Sequence, residues 1–361
     1  MTSELSQLCV AIVGYGSIGH RHAKNLARLG IGRPVIVRRG GQANPAFSPP
    51  REAVVVHSLD AALARQPDLA IIATPTGLHT RSARPLIEAR VPILVEKPLS
   101  DDIESASELA ELARQRRVWA SMAYPLRYHG AYRMARGILK RGALGRLRRG
   151  RMWFESYLPD WHPWEDYRVS YAARPELGGG VLPTLDHEID FLNWCFGEPS
   201  TVSGLVGRSG KLDAPIDDFA RLVAIHPSGL RTALRLSLCH QDRRRGFQWA
   251  GDQGSLRYDW TAGRLEVAGR DNSPTEGETL WQDDGQATER MYRDMLTAML
   301  RSVVHDEPPP TPLEVGLAAL RFCRLARMSR RNSPSAKPDD SQLRVAAATA
   351  SASYPNGQDR R

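Results

Sequence analysis

Residues 8–19 read Leu8-Cys9-Val10-Ala11-Ile12-Val13-Gly14-Tyr15-Gly16-Ser17-Ile18-Gly19, and this stretch decides the fold. Its first half is an apolar, partly β-branched run that predicts a buried parallel strand. Its glycines follow the GxGxxG spacing, in which they turn the chain tightly, admit a pyrophosphate and let a helix pack on the strand. A helical pattern follows, and its N-terminus would present unpaired N–H groups to phosphates. We therefore predict a dinucleotide-binding unit; the alternative is a purely structural tight turn.

The end of the second predicted strand carries arginines where NAD-binding folds usually carry an acidic residue. Arg38 and Arg39 follow the strand at 34–37, and no Asp or Glu occurs between Glu4 and Glu52. Guanidinium groups suit a ribose 2′-phosphate, through paired hydrogen bonds and stacking on adenine. We predict NADP(H) as the preferred cofactor, with NAD(H) possible; the alternative is a solvated basic loop.

Two further apolar runs, at 69–73 and 91–95, extend the doubly wound pattern. The first ends in a loop at 74–79 and the second in Glu96-Lys97-Pro98. Loops at the carboxyl ends of parallel strands line the ligand crevice. The predicted cofactor-binding residues are Gly14, Tyr15, Gly16, Ser17, Ile18, Gly19, Arg38, Arg39, Thr74, Pro75, Thr76, His79, Glu96 and Lys97.

With these motifs the chain resembles the GFO/IDH/MocA family of oxidoreductases, over roughly residues 8–330. The markers are GYGSIGHRH at 14–22, ATPTGLHT at 73–80, EKP at 96–98, AYPLRYH at 123–129 and GGGVLPTLDHEID at 178–190. The resemblance implies an α/β fold, with a Rossmann domain at 1–124 and a substrate-binding α+β domain at 125–332. The second domain would hold an open, mostly antiparallel sheet, whose face often mediates homo-oligomerisation. The segment 156–190 looks like members associated with bacterial surface-sugar pathways.

The resemblance also implies reversible oxidation of a hydroxyl group on a sugar, cyclitol or nucleotide sugar. It places Lys97 and His187 at the positions of the family's catalytic residues. An imidazole titrates near working pH, so His187 is the expected general base. Lys97 would hold the reacting oxygen, and could carry the proton itself if burial lowers its pKa. The structural alternatives are a Glu96–Lys97 ion pair and a helix-capping or core histidine.

The family pattern breaks next to His187. Members usually carry an aspartate at the position of Thr184. On a continuous helix after the glycines at 178–180, Thr184, His187 and Asp190 share one face, and Asp186 is turned about 100° away. We therefore expect that Asp186 does not replace the missing carboxylate without a local distortion. The Thr184 hydroxyl can hydrogen-bond a substrate but is not a base at neutral pH.

Aromatic and polar side chains between 156 and 174 suit a sugar ring. A second departure lies at Pro125, where members usually carry asparagine. Packing at a domain joint is the alternative role for these aromatic residues. The predicted substrate-binding residues are Lys97, Tyr124, Arg127, Trp161, Tyr167, Arg168, Thr184 and His187.

Whole-chain properties limit the classes of function. The four cysteines lack CxxC spacing, so no metal site or disulfide framework is expected and a cytoplasmic location is favoured. The N-terminus has no signal-peptide pattern, and no stretch is long enough to cross a membrane. The net charge of +9 accompanies no nucleic-acid recognition motif, so we expect a small-molecule partner. Residues 333–361 have the composition of a disordered tail.

These observations predict an NADP(H)-preferring dehydrogenase or reductase that acts on a hydroxyl or ketone carbon of a sugar or nucleotide sugar. Two alternatives stay open. The first is a non-catalytic sensor or regulator that binds a dinucleotide or a sugar, which the departures at Thr184 and Pro125 would favour. The second is a lyase or epimerase that uses transient oxidation and retains its cofactor.

Overall fold

The structure, a computed structural model, describes residues 2–38, 46–269 and 277–331. The predicted cofactor contact Arg39 and the predicted tail at 333–361 lie outside the described residues.

The N-terminal half forms a parallel sheet with the strand order β3-β2-β1-β4-β5-β6. This arrangement confirms the predicted doubly wound fold. Its strands are Val10–Val13 (β1), Val35–Val37 (β2), Val54–Val56 (β3), Leu69–Ile72 (β4), Ile93–Glu96 (β5) and Ala120–Ala123 (β6). Its helices are Thr2–Leu5 (α1), Ser17–Arg28 (α2), Leu59–Leu63 (α3), His79–Glu88 (α4) and Ile103–Arg116 (α5).

The second half forms a mostly antiparallel sheet with the order β14-β13-β12-β11-β7-β10-β9-β8, in which only β7 and β10 pair in parallel within the described residues. This sheet also confirms the prediction. Its strands are Leu147–Tyr157 (β7), Thr201–Gly207 (β8), Phe219–Ile225 (β9), Arg231–Ser237 (β10), Cys239–Gly251 (β11), Gly254–Asp259 (β12), Arg264–Ala268 (β13) and Glu278–Gln282 (β14). The remaining helices are Gly130–Lys140 (α6), Val181–Thr184 (α7), Asp186–Phe196 (α8), Ala287–Val304 (α9) and Leu313–Arg331 (α10).

Five strands of the first sheet are fully buried, whereas the edge strand β3 is partly exposed. Alternate residues of β1 point into two different cores: Ala11 and Val13 into one, Val10 and Ile12 into the other. The last two helices complete these cores, since α9 packs with the second and the first turns of α10 pack with the first. The C-terminal residues therefore stabilise the dinucleotide-binding sheet as well as the second domain.

The site is positioned by the contact between the end of β5 and helix α8. Lys97 follows β5 directly, and His187 lies in the first turn of α8. Two short helices, α7 and α8, replace the single continuous helix expected after the glycines at 178–180. That prediction was wrong, because Leu185 departs from helical geometry with φ −108° and ψ 31°.

Candidate active site

The glycine turn has the geometry that its spacing predicts. Gly14 has φ +96°, and a Cβ there would lie 2.6 Å from the main-chain oxygen of Ala73. A Cβ on Gly19 would lie 2.3 Å from the oxygen of Gly14, so only glycine lets the helix approach the strand. Gly16 has open space where its side chain would be, and no side chain caps the helix that begins at Ser17. Exposed N–H groups and open space at a helix N-terminus fit the pyrophosphate of a dinucleotide.

Arg38 lies at the end of β2, beside the glycine turn. The Arg38 N–H donates to the carbonyl oxygen of Val56 at 2.9 Å, and the Arg38 carbonyl oxygen lies 2.8 Å from His57 Nδ1. Strand β3 and the residue after it therefore hold the Arg38 main chain. Burial raises the pKa of Tyr15, and the positive charge of Arg38 opposes this shift. The guanidinium therefore lies close enough to Tyr15 to affect its ionisation. A cation therefore lies where the second strand reaches the dinucleotide crevice.

The loop after β4 contains a buried hydroxyl, on Thr74, that has no partner in the described part of the chain, and a residue that contacts the second domain, Thr76. The Thr74 hydroxyl is buried with no hydrogen-bond partner among the described residues, so it is available to a ligand. Thr76 instead packs against the second domain, because a Cβ added at Gly178 would lie 2.7 Å from the Cβ of Thr76. Between them, Pro75 precedes the short turn that begins at Thr76.

His79 and Glu96 are both engaged inside the first domain. The His79 ring nitrogens lie 2.8 Å from two main-chain oxygens, those of Pro98 and Thr74. Glu96 Oε1 pairs with His22 Nε2 at 2.8 Å, and Oε2 accepts the N–H of Lys97. With these partners, His79 and Glu96 position the two crevice loops instead of facing a ligand. The alternative of a Glu96–Lys97 side-chain ion pair is not the arrangement observed.

Lys97 points across the domain boundary to the break between α7 and α8. Its ammonium group donates a hydrogen bond of 2.7 Å to the main-chain oxygen of Thr184. It also lies 3.9 Å from Asp186 Oδ1. The Thr184 hydroxyl is buried without a partner among the described residues, so this residue meets Lys97 through its backbone.

Asp186 reaches the site in spite of its expected orientation. Leu185 is non-helical and α8 begins at Asp186, so the 100° offset expected on a continuous helix does not apply. Its buried carboxylate accepts a hydrogen bond of 2.9 Å from the Tyr124 hydroxyl and faces Lys97. The structure contains the local distortion that the sequence analysis required before Asp186 could approach Lys97, and Asp186 does so.

The three titratable groups at the centre have perturbed pKa values. Burial acts to lower the pKa of Lys97, but Tyr171, Asp186, Glu96 and Tyr292 outweigh it and raise the pKa overall. Lys97 is therefore an ammonium cation, and the condition under which it would act as a base is not met. Burial raises the pKa of Asp186 to about 7, against the opposing effects of Lys97 and Tyr124.

His187 is held in the neutral form. Burial, followed by the charges of Lys97 and Arg245, lowers its pKa well below 6.5. Its Nδ1 is buried without a hydrogen-bond partner among the described residues. A neutral imidazole can accept a hydrogen bond from a hydroxyl group, but protonation beside two cations is unfavourable.

Arg127 is fully engaged with α8. Its guanidinium forms hydrogen bonds of 2.7 to 3.2 Å with both carboxylate oxygens of Asp190. The pair is buried, and Trp194 lies under the guanidinium at 5.2 Å. Arg127 therefore fixes the orientation of α8, which differs from the substrate contact that the sequence predicts. Sequence spacing contains no sign of this pairing, because the two residues are 63 positions apart.

The predicted sugar-binding aromatic residues have mixed surroundings. Trp161 donates to Ser156 Oγ at 3.0 Å and stacks on Phe154, as expected for packing at a joint. The Tyr167 hydroxyl accepts the N–H of Asp213 at 2.9 Å. Exposed Arg168 pairs with Asp166 and also with Asp213, so the structure does not bring it to Lys97.

A buried ion pair beside the site was missed at the level of sequence. Arg245 Nε donates to Glu188 Oε1 at 2.6 Å, and its guanidinium lies between the rings of Phe154 and Trp260. The pair matters for chemistry because Arg245 helps to keep the adjacent His187 neutral. The one available sequence signal for this pair was the acidic residue at position 188, next to the predicted histidine.

No group of three or more possible metal-ligating residues occurs in the described part of the chain. Within 2–38, 46–269 and 277–331, no helix has both the length and the apolar character needed for a membrane span. The four cysteines are free.

Comparisons with known proteins agree with the geometry. The model of an oxidoreductase family with an NAD-binding Rossmann fold, GFO/IDH/MocA, matches residues 8–124, and the C-terminal domain model of the same family matches residues 132–257. A myo-inositol dehydrogenase of Streptomyces leeuwenhoekii is 27% identical over 74% of this chain and 77% of its own length. A 2,7-anhydro-N-acetylneuraminate hydratase of Escherichia coli is 25% identical over 68% of this chain and 66% of its own length.

Solved structures share the fold. A levoglucosan dehydrogenase in complex with NADH and levoglucosan superposes with a TM-score of 0.76 at 18% identity, covering 90% of this chain and 97% of the other. Three of the curated relatives are spanned over only 53%, 66% and 56% of their own lengths.

Proposed function

The chain belongs to the GFO/IDH/MocA family of oxidoreductases, and on this basis we propose that it is an NADP(H)-preferring enzyme that oxidises or reduces a sugar or nucleotide sugar. The observation that carries the proposal is the contact between Lys97 and the broken helix that bears Asp186 and His187. This contact joins a cation to a neutral imidazole and a buried carboxylate beside a dinucleotide crevice. These groups can bind a substrate hydroxyl group and accept or donate its proton.

The dinucleotide would be held by the glycine turn, with Thr74 as a further polar contact. Gly16 and the N-terminus of α2 would receive the pyrophosphate. When bound, the cofactor supplies a hydride acceptor or donor. Arg38 supports the NADP(H) preference, because a guanidinium pairs well with a 2′-phosphate.

Lys97 and His187 have separate roles at the reacting hydroxyl. The Lys97 ammonium has N–H donors beyond the one given to Thr184, and these would bind the substrate oxygen and stabilise negative charge on it. His187, held neutral, would accept the hydroxyl hydrogen bond and orient it. Tyr124 and Arg127 act from behind the site, because their polar groups are engaged by Asp186 and Asp190.

A sugar substrate is supported by the names of two relatives, a myo-inositol dehydrogenase and a 2,7-anhydro-N-acetylneuraminate hydratase. The second name also favours the alternative of a lyase that oxidises its substrate transiently. Turnover without net change in the nicotinamide absorbance would identify that class. A sensor without turnover is less favoured, since Asp186 returns a carboxylate to the site.

The first test is a fluorescence titration of cofactor-free protein with NADPH and with NADH. We expect tighter binding of NADPH, and a loss of about tenfold or more in NADPH affinity for Arg38→Gln, as charge-assisted hydrogen bonds contribute about 1.5–3 kcal/mol. Arg65→Gln, a change on the surface, is the matched control. Preferential binding of NADH would refute the cofactor preference and leave the oxidoreductase intact. Binding of neither by folded protein would remove the redox proposal.

A further inference from the structure

The carboxylate of Asp186 has contacts that the proposed roles of Lys97 and His187 do not explain. The side chain is 1% exposed, and its Oδ2 atom accepts the Tyr124 hydroxyl at 2.9 Å. Oδ1 has no hydrogen-bond partner among the described residues. Buried carboxylate oxygens are normally paired, so an unpaired one beside the site requires an explanation.

The unpaired oxygen faces the Lys97 ammonium at 3.9 Å. This separation allows electrostatic attraction, but it is too long for a hydrogen bond in the resting structure. The nearer contact of Lys97 is the Thr184 oxygen at 2.7 Å, which fixes the nitrogen without satisfying the carboxylate. A small movement of the lysine side chain would bring Nζ to Oδ1.

We propose that Asp186 is the final acceptor of the proton released by the substrate hydroxyl, and that Lys97 delivers it. In the oxidative direction one N–H bond of Lys97 breaks as the proton goes to Asp186 Oδ1, while the substrate O–H bond breaks and its proton restores the ammonium group. A bound oxidised nicotinamide would supply the acceptor for the carbinol hydride, and the C=O bond would form. The carboxylate becomes a carboxylic acid, so atoms and charge balance. This inference rests on the proposed function.

The surroundings favour Asp186 over His187 as the place where the proton stays. His187 lies near two cations, Lys97 and Arg245, so an imidazolium there is disfavoured. A proton on Asp186 removes a buried negative charge and leaves Tyr124 able to donate to Oδ2. The pKa of Asp186, raised by burial to about 7, is suited to release and uptake near neutral pH.

Charged and titratable groups face Asp186 from each packed element. Lys97 and the Tyr124 hydroxyl lower its pKa, whereas Asp190 and Glu188 on its own helix raise it. Cys323 of α10 also lies close enough for the charge of Asp186 to raise its pKa, after the larger effect of burial. The Tyr124 contact can be removed without altering any charge, which supplies a specific test.

The first readout is infrared spectroscopy of the cofactor-free protein, comparing wild type with Asp186→Asn. We expect a protonated-carboxyl band that grows as the pH falls through about 7 and is absent from the variant. Tyr124→Phe should move its midpoint to higher pH, because the lost hydrogen bond stabilised the carboxylate. Tyr258→Phe is the matched control, since it removes a buried tyrosine hydroxyl of β12 that is not among the groups acting on Asp186.

The second readout is the pH dependence of alcohol oxidation in folded variants with unchanged cofactor affinity. Asp186→Asn should lower kcat by about 10²–10⁴-fold and abolish the acidic limb. His187→Asn should lower kcat but keep that limb, and Tyr124→Phe should shift it upward.

Two results would overturn the relay while leaving the enzyme intact. One is an Asp186-dependent carboxyl band that appears only below about pH 5, as expected of an ordinary aspartate. The other is an acidic limb that persists in Asp186→Asn and disappears in His187→Asn. A wild-type protein that oxidises no sugar, cyclitol or nucleotide sugar with either nicotinamide cofactor would instead refute the proposed function, and the relay with it.

Discussion

Lys97 shows how one side chain can be recognised from its motif although its partners cannot. EKP marks the residue as a candidate for catalysis, yet its contacts are Thr184 and Asp186, of which the first is 87 positions away. Burial acts to lower the pKa of Lys97, but Tyr171, Asp186, Glu96 and Tyr292 raise it overall, so the side chain is an ammonium cation. Its position after an apolar strand would by itself have predicted a lowered pKa and a neutral amine.

Replacement of Lys97 tests its chemistry most directly. Lys97→Met keeps the length of the side chain and removes the charge, so we expect kcat to fall by about 10²–10³-fold or more through loss of electrostatic stabilisation. Affinity for NADPH should change little if the glycine turn and Arg38 dominate cofactor binding. Lys24→Met, on the exposed side of α2, is the control. Turnover within a few-fold of wild type would contradict the role of Lys97.

His129 makes a residue-scale prediction about stability. It is 1% exposed inside a cluster of aromatic rings, and neither ring nitrogen has a partner among the described residues. Burial lowers its pKa to about 4. Because the folded pKa lies below the unfolded value of about 6.5, only the unfolded chain gains a proton as the pH falls from 6.5 towards 4. Stability is therefore lost across that window.

The measurement is urea unfolding of wild type and His129→Phe at several pH values. We expect the wild type to lose on the order of 3 kcal/mol more than the variant between pH 7 and 4, from about 1.36 kcal/mol per pKa unit. Parallel pH dependences in the two proteins would show that His129 is not buried in the neutral form.

At the scale of elements, the glycines before α7 show why this connection is built from glycine. A Cβ on Gly179 would lie 2.5 Å from the oxygen of Tyr171 and 2.7 Å from that of Ala172. These oxygens belong to the short turns that precede the glycines, and Gly180 N–H donates to Ala172 at 3.0 Å. Close packing of backbone on backbone therefore fixes the chain where α7 begins.

Gly179→Ala should therefore destabilise the protein by about 2 kcal/mol or more, as overpacking against rigid backbone commonly costs about 1–3 kcal/mol. It should also lower activity, since the shift would be passed to Asp186 and His187. Gly32→Ala is the matched control, because a Cβ there meets nothing within 4 Å. Equal stabilities of the two variants in urea unfolding would show that the glycines are not required by packing.

At the scale of the whole molecule, a chain of aromatic contacts joins the two domains beside the cofactor crevice. Tyr15 follows the first glycine and contacts His20, which contacts Phe47. Phe47 meets Trp164 of the second domain edge-on at a centroid distance of 5.5 Å. Trp164 is otherwise largely open to solvent, at 47% exposed.

Loss of this contact should loosen the cofactor. An edge-on aromatic pair contributes about 0.5–1.5 kcal/mol, so Trp164→Ala should raise the dissociation rate of NADPH by roughly two- to tenfold. Stopped-flow displacement would measure the rate, with Trp153→Ala on β7 as the control. Equal rates in wild type and Trp164→Ala would show that the aromatic chain does not restrain the bound cofactor.

The sequence by itself determined the fold class and the dinucleotide crevice. Strand periodicity and the steric demands of Gly14, Gly16 and Gly19 are local properties, and the structure agrees with each of them. It also identified Lys97 and His187 through ordered motifs. The cofactor preference, the site roles and the domain limits remain predictions.

Only the tertiary structure decided how the site is arranged. The break at Leu185, the approach of Asp186 to Lys97, and the pairing of Arg127 with Asp190 each depend on contacts between distant parts of the chain. A continuous helix would turn Asp186 away from the face that carries Thr184 and His187, and the break at Leu185 removes that constraint. Long-range packing can outweigh the small energy of one non-helical residue, so the identity of the facing carboxylate could not be read from spacing.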